Sequence, residues 1–140
     1  MEKEMEYYYD GKLKFEGEYL NGERWNGKRY DINNNIIYEL INGNGNIKEY
    51  NCNNSLVYEG EYLNGKKQGK GKEYYEGDSL KFEGEYLNGE RNGKGKEYYY
   101  NGKLKFEGEY LNGKRNGKGK EYYDNGKLKY EGEFLDGKRK

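Results

Sequence analysis

Apolar and charged residues alternate with a period of two in several short segments of this chain. In Leu80–Tyr86, LKFEGEY, an apolar residue or glycine occupies every second position, and charged residues lie between them. In a β-strand this pattern places the apolar residues on one face and the charges on the other. The chain contains no proline, and no segment of ten or more residues shows helical periodicity. The pattern therefore predicts strands throughout.

Asn-Gly pairs separate these strands. The segment Asn88–Gly93, NGERNG, contains two such pairs and is predicted to reverse the chain, because both residues tolerate positive φ in tight turns. A second short strand is expected over Lys94–Tyr100, and Asn101-Gly102 turns the chain again. We therefore predict an all-β fold, an elongated single-layer antiparallel β-meander of repeated hairpins.

The hairpins belong to an internal repeat of 24 residues. The word Tyr/Phe-Glu-Gly-Glu-Tyr/Phe begins at residues 15, 58, 82, 106 and 130. We interpret the chain as one repeat domain, 1–140, in which the first degenerate unit contains Trp25 as a loop insertion and the second is four residues short. Its segments are a partial unit 1–14, degenerate units 15–37 and 38–57, regular units 58–81, 82–105 and 106–129, and a partial unit 130–140.

Tyrosine replaces aliphatic residues as the main apolar material. Leu, Ile, Val and Phe together account for only 21 of 140 residues, whereas there are 19 Tyr. Such an aromatic stripe predicts either a shallow groove that grips a peptide or helix, or rings that pack only on one another along the sheet. The candidate partner-binding aromatic face consists of Tyr62, Phe82, Tyr86, Phe106, Tyr110, Tyr130 and Phe134.

Glycines recur inside the predicted strands, although glycine weakens a strand interior. We expect each of them to leave room for a Tyr or Phe ring from the neighbouring strand to lie against the backbone. The structural glycines are Gly60, Gly84, Gly93, Gly95, Gly108, Gly117, Gly119 and Gly132.

The sequence offers little material for catalysis. It contains no His or Thr, two Ser and one cysteine, Cys52, so it lacks a Ser-His or Cys-His pair and a thiol-imidazole metal site. Glu83 and Glu85 recur in other units, and we expect them to pair with Lys94 and Lys96 on a solvated face. The expectation is a protein that is not an enzyme, with no catalytic residue, metal or cofactor, and with Cys52 as a loop bystander.

The repeat resembles the MORN (membrane occupation and recognition nexus) family. The string Tyr130–Phe134, YEGEF, carries this resemblance, as do an aromatic residue, a glycine two positions later, another seven later, and then Gly-x-Gly. In one unit this pattern is formed by Phe106, Gly108, Gly113, Gly117 and Gly119. The unit is about one residue longer than is usual in the family, and Tyr or Phe replaces its common Trp. The Tyr-Tyr-x-Asn-Gly segment also resembles a bacterial MORN-like variant, sometimes described as an antitoxin component.

The resemblance implies scaffolding, dimerisation or membrane-associated contacts, and no chemistry. We therefore expect a protein-interaction scaffold or adaptor with a protein partner, which self-associates as a homodimer or edge to edge. The alternatives are a phospholipid or membrane-surface binding module and an antitoxin-like binding protein. Nucleic acid is the least favoured partner, because 26 basic residues balance 26 acidic ones. The lone cysteine and the absence of a signal-like N-terminus favour a cytoplasmic location, which includes the periphery of a membrane or the cytoskeleton.

Overall fold

The structure is a computed structural model that describes residues 1–140 as thirteen β-strands without a helix. No segment is therefore a helix long and apolar enough to cross a membrane. The strands are β1 (Glu2–Tyr7), β2 (Leu13–Leu20), β3 (Glu23–Tyr30), β4 (Ile36–Leu40), β5 (Gly45–Tyr50), β6 (Leu56–Leu63), β7 (Lys66–Tyr74), β8 (Leu80–Leu87), β9 (Glu90–Tyr98), β10 (Leu104–Leu111), β11 (Lys114–Tyr122), β12 (Leu128–Leu135) and β13 (Lys138–Arg139).

The strands form two antiparallel sheets, one of β1–β4 and one of β5–β13, each in chain order. The predicted all-β meander is confirmed, but it is not continuous. Between β4 and β5 the ladder is reduced to an isolated bridge from Ile41 to Asn44. The hairpin at this point is made by the shortened unit, whose strands have five and six residues rather than eight and nine. It is therefore too short to continue the regular pairing.

Each regular hairpin closes through a turn of only two residues. Asn88 and Gly89 connect β8 to β9 with φ values of 51° and 89°. Positive φ at both positions matches the twist of the flanking strands. The six-residue turn predicted over Asn88–Gly93 is therefore wrong, because β9 already begins at Glu90.

The second Asn-Gly pair of the unit forms a β-bulge inside β9. Glu85 of β8 faces the three residues Asn92–Lys94, and the backbone N–H of Lys94 donates a hydrogen bond of 2.7 Å to Glu85 Oε2. Gly93 has φ of 96° and faces this carboxylate, as Gly117 faces Glu109 one repeat later. The expectation that an aromatic ring covers Gly93 and Gly117 is wrong, because the bulge turns these positions towards a glutamate.

Trp25 lies within β3 and not in a loop. Glu18 faces Asn26 and Tyr19 faces Arg24, so Trp25 is the extra residue of a one-residue bulge. Its carbonyl accepts a hydrogen bond of 2.6 Å from the backbone N–H of Gly43, in the turn after β4. The prediction of a loop insertion fails because the first unit has a shorter bulge in place of the Asn-Gly bulge of the regular units.

Successive hairpins are joined by a second kind of turn. The N–H of Gly102 donates to the carbonyl of Tyr99 over 2.9 Å, and the N–H of Tyr99 donates to the carbonyl of Lys103 over 2.8 Å. The Asn101 side chain accepts a further bond from the N–H of Lys103. As a result β9 ends at Tyr98, two residues before the predicted end at Tyr100.

The core is a row of aromatic rings on one face of the larger sheet. Neighbouring rings meet edge to face with centroids 5.2–5.7 Å apart, a favoured aromatic geometry. The buried members are Tyr58, Phe82, Tyr86, Phe106, Tyr110 and Phe134. A smaller cluster, Tyr38, Leu40 and Ile47, lies at the β4–β5 hairpin.

The phenylalanine rings lie directly on pairs of facing glycines. Gly108 of β10 is opposite Gly119 of β11, and the ring of Phe106 covers both. A Cβ atom added at Gly108 would lie 2.8 Å from the ring, 2.7 Å from Gly119 Cα and 2.6 Å from the carbonyl oxygen of Lys118. Any side chain at these glycines would therefore separate the ring from the sheet.

We expect Gly108→Ala to lower the free energy of unfolding by about 3 kcal/mol, because its Cβ would overlap backbone atoms that cannot move aside. Gly102→Ala is the matched control, because Gly102 has positive φ but no atom within 4 Å of an added Cβ. We expect it to cost about 1–2 kcal/mol from backbone strain alone. Urea unfolding of both variants measures the difference, and equal losses would contradict ring packing as the reason for the glycine.

Candidate docking groove

The aromatic face is closed to partners. Phe82, Tyr86, Phe106, Tyr110 and Phe134 are each at most 4% exposed. The remaining two predicted residues, Tyr62 and Tyr130, are partly buried against the same cluster. The interpretation of this face as an exposed binding groove is therefore wrong, because the rings pack against one another and against the glycines.

Ion pairs cover the outer side of the rings. In the best-defined example, Arg115 Nε donates to Glu97 Oε2 over 2.8 Å, and the guanidinium carbon lies 4.1 Å from the centroid of the Phe106 ring. The hydroxyl of Tyr110 donates to the same carboxylate. We call this unit an arginine staple: an arginine in one hairpin binds a glutamate 18 residues earlier, in the preceding hairpin. The staples are Glu6 with Arg24, Glu73 with Arg91, Glu97 with Arg115, and Glu121 with Arg139.

Two of the staples, those of Glu73 and Glu97, keep their carboxylates ionised. Burial by itself raises the pKa of Glu97, but the hydrogen bonds from Arg115 and Tyr110 outweigh it and hold the pKa below its usual range. Glu73 responds in the same way to Arg91 and Tyr86. Conversely, burial and the adjacent Glu97 raise the pKa of the Tyr110 hydroxyl far above its usual range, so it remains a donor. Each staple thus links two repeats through charged hydrogen bonds.

Sequence reasoning missed the staples. Their signal is a glutamate and an arginine that recur with the repeat and are 18 residues apart, whereas we considered only cross-strand pairs of Glu and Lys. The bulge in every second strand shifts the register between them. A register derived from alternation alone omits this shift and does not place the arginine beside the carboxylate.

The opposite face of the larger sheet forms an open groove of about 1280 Å³. Its floor is the backbone of the glycine row, and a line of charged residues forms a wall on each side. The floor contains Gly60, Gly71, Gly84, Gly95, Gly108, Gly119 and Gly132. One wall contains Lys48, Glu59, Lys72, Glu83, Lys96, Glu107, Lys120 and Glu131, and the other contains Asn46, Lys70, Glu85, Lys94, Glu109, Lys118 and Glu133.

Glutamate and lysine alternate along each wall because neighbouring strands contribute opposite charges. Glu83, for example, faces Lys72 on one side and Lys96 on the other. Its carboxylate accepts a hydrogen bond of 2.6 Å from the hydroxyl of Tyr98, and Glu85 is bound by the bulge. Tyrosine hydroxyls likewise bind Glu59 and Glu107, and a bulge binds Glu109, so five wall glutamates are held by hydrogen bonds within the protein.

Most wall lysines, by contrast, are free. Lys120 is the one wall lysine with an ion pair, at 3.9 Å from Glu131. The expected ion pairs of Lys94 and Lys96 with Glu83 and Glu85 do not form, although the residues are register neighbours. Each of these glutamates instead accepts a hydrogen bond, Glu83 from the Tyr98 hydroxyl and Glu85 from the bulge N–H. The groove thus presents ammonium groups that have no partner within the protein.

A line of exposed leucines runs beside the groove. Leu87 continues the alternation of Glu83 and Glu85 and therefore lies on the groove side of β8. Its equivalents recur every two strands, about 10 Å apart. The line contains Leu63, Leu87, Leu111 and Leu135, which are 46–53% exposed.

The structure shows no group of three or more His, Cys, Asp or Glu side chains placed to hold a metal ion. Cys52 is exposed and unpaired in the turn between β5 and β6.

Comparison with known families identifies the repeat. The MORN repeat model matches residues 58–79, 82–103, 106–127 and 130–140, and the MORN repeat variant matches residues 3–21. Each of the four MORN segments begins at an aromatic residue of the ring row: Tyr58, Phe82 and Phe106 are buried in it, and Tyr130 packs against it. No curated protein shows significant sequence similarity to the chain.

The staples predict that stability falls in acid. Because the folded pKa of Glu97 lies below its unfolded value of about 4.3, its stabilising contribution is present at pH 7 and is lost as the pH falls through the folded pKa. We expect Glu97→Gln to cost roughly 2 kcal/mol at pH 7, and the difference from the parent protein to shrink below pH 4. Urea unfolding from pH 7 to pH 2.5 measures this.

Glu90→Gln is the control, because Glu90 is exposed and belongs to no staple. It should change stability by less than about 0.5 kcal/mol at neutral pH. If Glu97→Gln showed the same loss at every pH, the charge of Glu97 would not be the stabilising element.

Proposed function

Because the chain belongs to the MORN repeat family, we propose that it is a non-catalytic interaction scaffold whose charged groove binds a segment of a protein partner. MORN repeats are commonly interaction or membrane-binding modules. The groove itself carries the proposal: its walls present unpaired ammonium groups, whereas the aromatic face is buried. We therefore place the binding surface on the charged face of the sheet and not on the aromatic stripe.

The groove favours an amphipathic helix with acidic side chains. Carboxylates on the partner would bind the free wall lysines, such as Lys94 and Lys118. Apolar side chains would rest on the leucine line, whose members are spaced about 10 Å apart. Two turns of an α-helix advance about 10.8 Å, so one helix face can meet successive leucines in register. Such partners bind through regularly spaced apolar anchors.

The chemistry of the groove supports a role without catalysis. Its titratable side chains are Glu and Lys, and the same pair recurs in each repeat. An active site needs a group whose surroundings differ from those of its neighbours, and a row of equivalent carboxylates does not provide one. We propose a cytoplasmic location, where the free thiol of Cys52 stays reduced.

Membrane-surface binding is the second candidate, because the free wall lysines would also attract anionic headgroups. The equal number of glutamates along the walls disfavours it, because an anionic membrane attracts a surface with excess positive charge. A partner helix can instead place its carboxylates beside the free lysines alone.

The test compares two double variants with the same change in charge. Lys94→Gln with Lys118→Gln removes two free ammonium groups from the groove, whereas Lys103→Gln with Lys127→Gln removes two exposed ones from the turns between hairpins. We expect the groove variant to lose at least tenfold in enrichment of its specific protein partners from source-cell lysate. The turn variant should retain them, because its lysines lie outside the groove.

Vesicles that contain phosphatidylserine provide the second arm. Protein partners lost only by the groove variant, together with weak vesicle binding, support the scaffold. Equal enrichment by both variants would reject the groove as the docking site. Vesicle binding that depends on Lys94 and Lys118, without any specific protein partner, would favour the membrane candidate instead.

A further inference from the structure

The first sheet contains a staple position with its charge inverted. Arg29 faces Phe15 across the β2–β3 pair, in the same way that Glu97 faces Phe82 across the β8–β9 pair. Both residues follow a Gly-Lys pair. Where the regular repeats place the carboxylate of a staple, this repeat therefore places a guanidinium.

This guanidinium lacks the carboxylate that every other arginine has. The chain has five arginines, and Arg24, Arg91, Arg115 and Arg139 each form an ion pair. Arg29 is only 4% exposed, and its Nε is buried without any acceptor. Its one side-chain hydrogen bond is a contact of 3.3 Å from Nη2 to Asn54 Oδ1. The Tyr50 ring lies against the guanidinium, 4.3 Å from its carbon.

The unfilled part of Arg29 is the edge that binds carboxylates elsewhere in the protein. Arg91 uses Nε and Nη2 together on the two oxygens of Glu73, at 2.9 and 3.1 Å. This side-on fork matches a carboxylate in both geometry and charge. In Arg29 only Nη2 has an acceptor, the amide oxygen of Asn54, and Nε has none. The fork is therefore half occupied, and by a neutral group.

A cavity of about 430 Å³ lies at this place, between β1–β3 of the first sheet and the β5–β6 hairpin of the second. Its acidic lining residues are already paired: Glu6 with Arg24 at 2.7 Å and Glu49 with Lys67 at 3.9 Å. Lys14 and Arg29 line the cavity without an ion pair. The charge left unmatched at the cavity is therefore positive.

We propose that this cavity binds a small organic acid, whose carboxylate replaces the Asn54 side chain on the Nε–Nη2 fork of Arg29. The ligand then completes the inverted staple from outside the chain, and Lys14 provides the second cation. Asn54 lies in an exposed turn, so its side chain can swing away without disturbing a strand. This site does not depend on the charged groove or on its proposed partner.

Succinate and its neutral analogue succinamide are the probes, at constant ionic strength. We expect succinate to raise the melting temperature in a saturable way and to give a binding isotherm by calorimetry, because a ligand that binds only the folded state stabilises it. Succinamide should do neither, because it fills the same space without a charge.

Asn54→Asp tests the assignment of Arg29 without removing the arginine from the core. It places a carboxylate at the position of the present 3.3 Å contact, so we expect a higher melting temperature without ligand and succinate affinity at least tenfold weaker. Asn53→Asp is the matched control: it adds the same charge in the same turn, where the side chain contacts Glu76 and not Arg29. It should keep the succinate response.

Loss of the response in Asn54→Asp and its retention in Asn53→Asp support the site. The proposal is overturned if the parent protein shows no saturable response to succinate. It is also overturned if succinamide acts equally well, or if Asn54→Asp binds succinate as tightly as the parent protein does.

Discussion

A phenylalanine ring packed against two facing glycines is the contact on which the rest of this structure depends. A sheet one layer thick has no second layer to bury its apolar face, and only 15 of the 140 residues are buried. With no Cβ at Gly84 and Gly95, the Phe82 ring lies on the backbone itself, and the Tyr110 ring of the next repeat meets it edge on. Burial thus proceeds along the sheet, from each repeat to the next, as in other repeat proteins.

The outer surface of each ring must be shielded from water, and an arginine shields it better than an aliphatic residue would. The flat guanidinium of Arg91 lies 4.0 Å from the Phe82 ring centroid while its edge holds Glu73, so a single side chain shields the ring and joins two hairpins. In the first regular unit Lys67 takes this position, over Tyr58 and 3.9 Å from Glu49. A lysine offers no planar fork. The ring with this weaker cover, Tyr58, lies where the regular repeats begin.

The sequence predicted the strands, the hairpin order and the family, because alternation and Asn-Gly pairs act locally. It did not predict that Asn92-Gly93 is a bulge, because an Asn-Gly pair can form either a hairpin turn or a bulge. Only the pairing with Glu85 distinguishes the two structures. Alternation also showed that Phe82 and Tyr86 share a face, but it could not show whether that face was covered. The cover comes from Arg91, whose placement depends on the register shift at the bulge.

The glycine row is part of both faces of the larger sheet. Strand alternation places the rings and the missing glycine side chains on one face and the Glu and Lys side chains on the other, and the backbone between these charges is the floor of the charged groove. A substitution such as Gly95→Ser would therefore disturb the core, because the added Cβ would lie 2.6 Å from the Phe82 ring, whereas changes at Lys94 or Lys96 affect only the wall. The ladder breaks at the shortened unit, and the inverted staple at Arg29, in the degenerate unit before it, leaves a cationic cavity. The regular and the degenerate repeats therefore present different charged surfaces on a single kind of sheet.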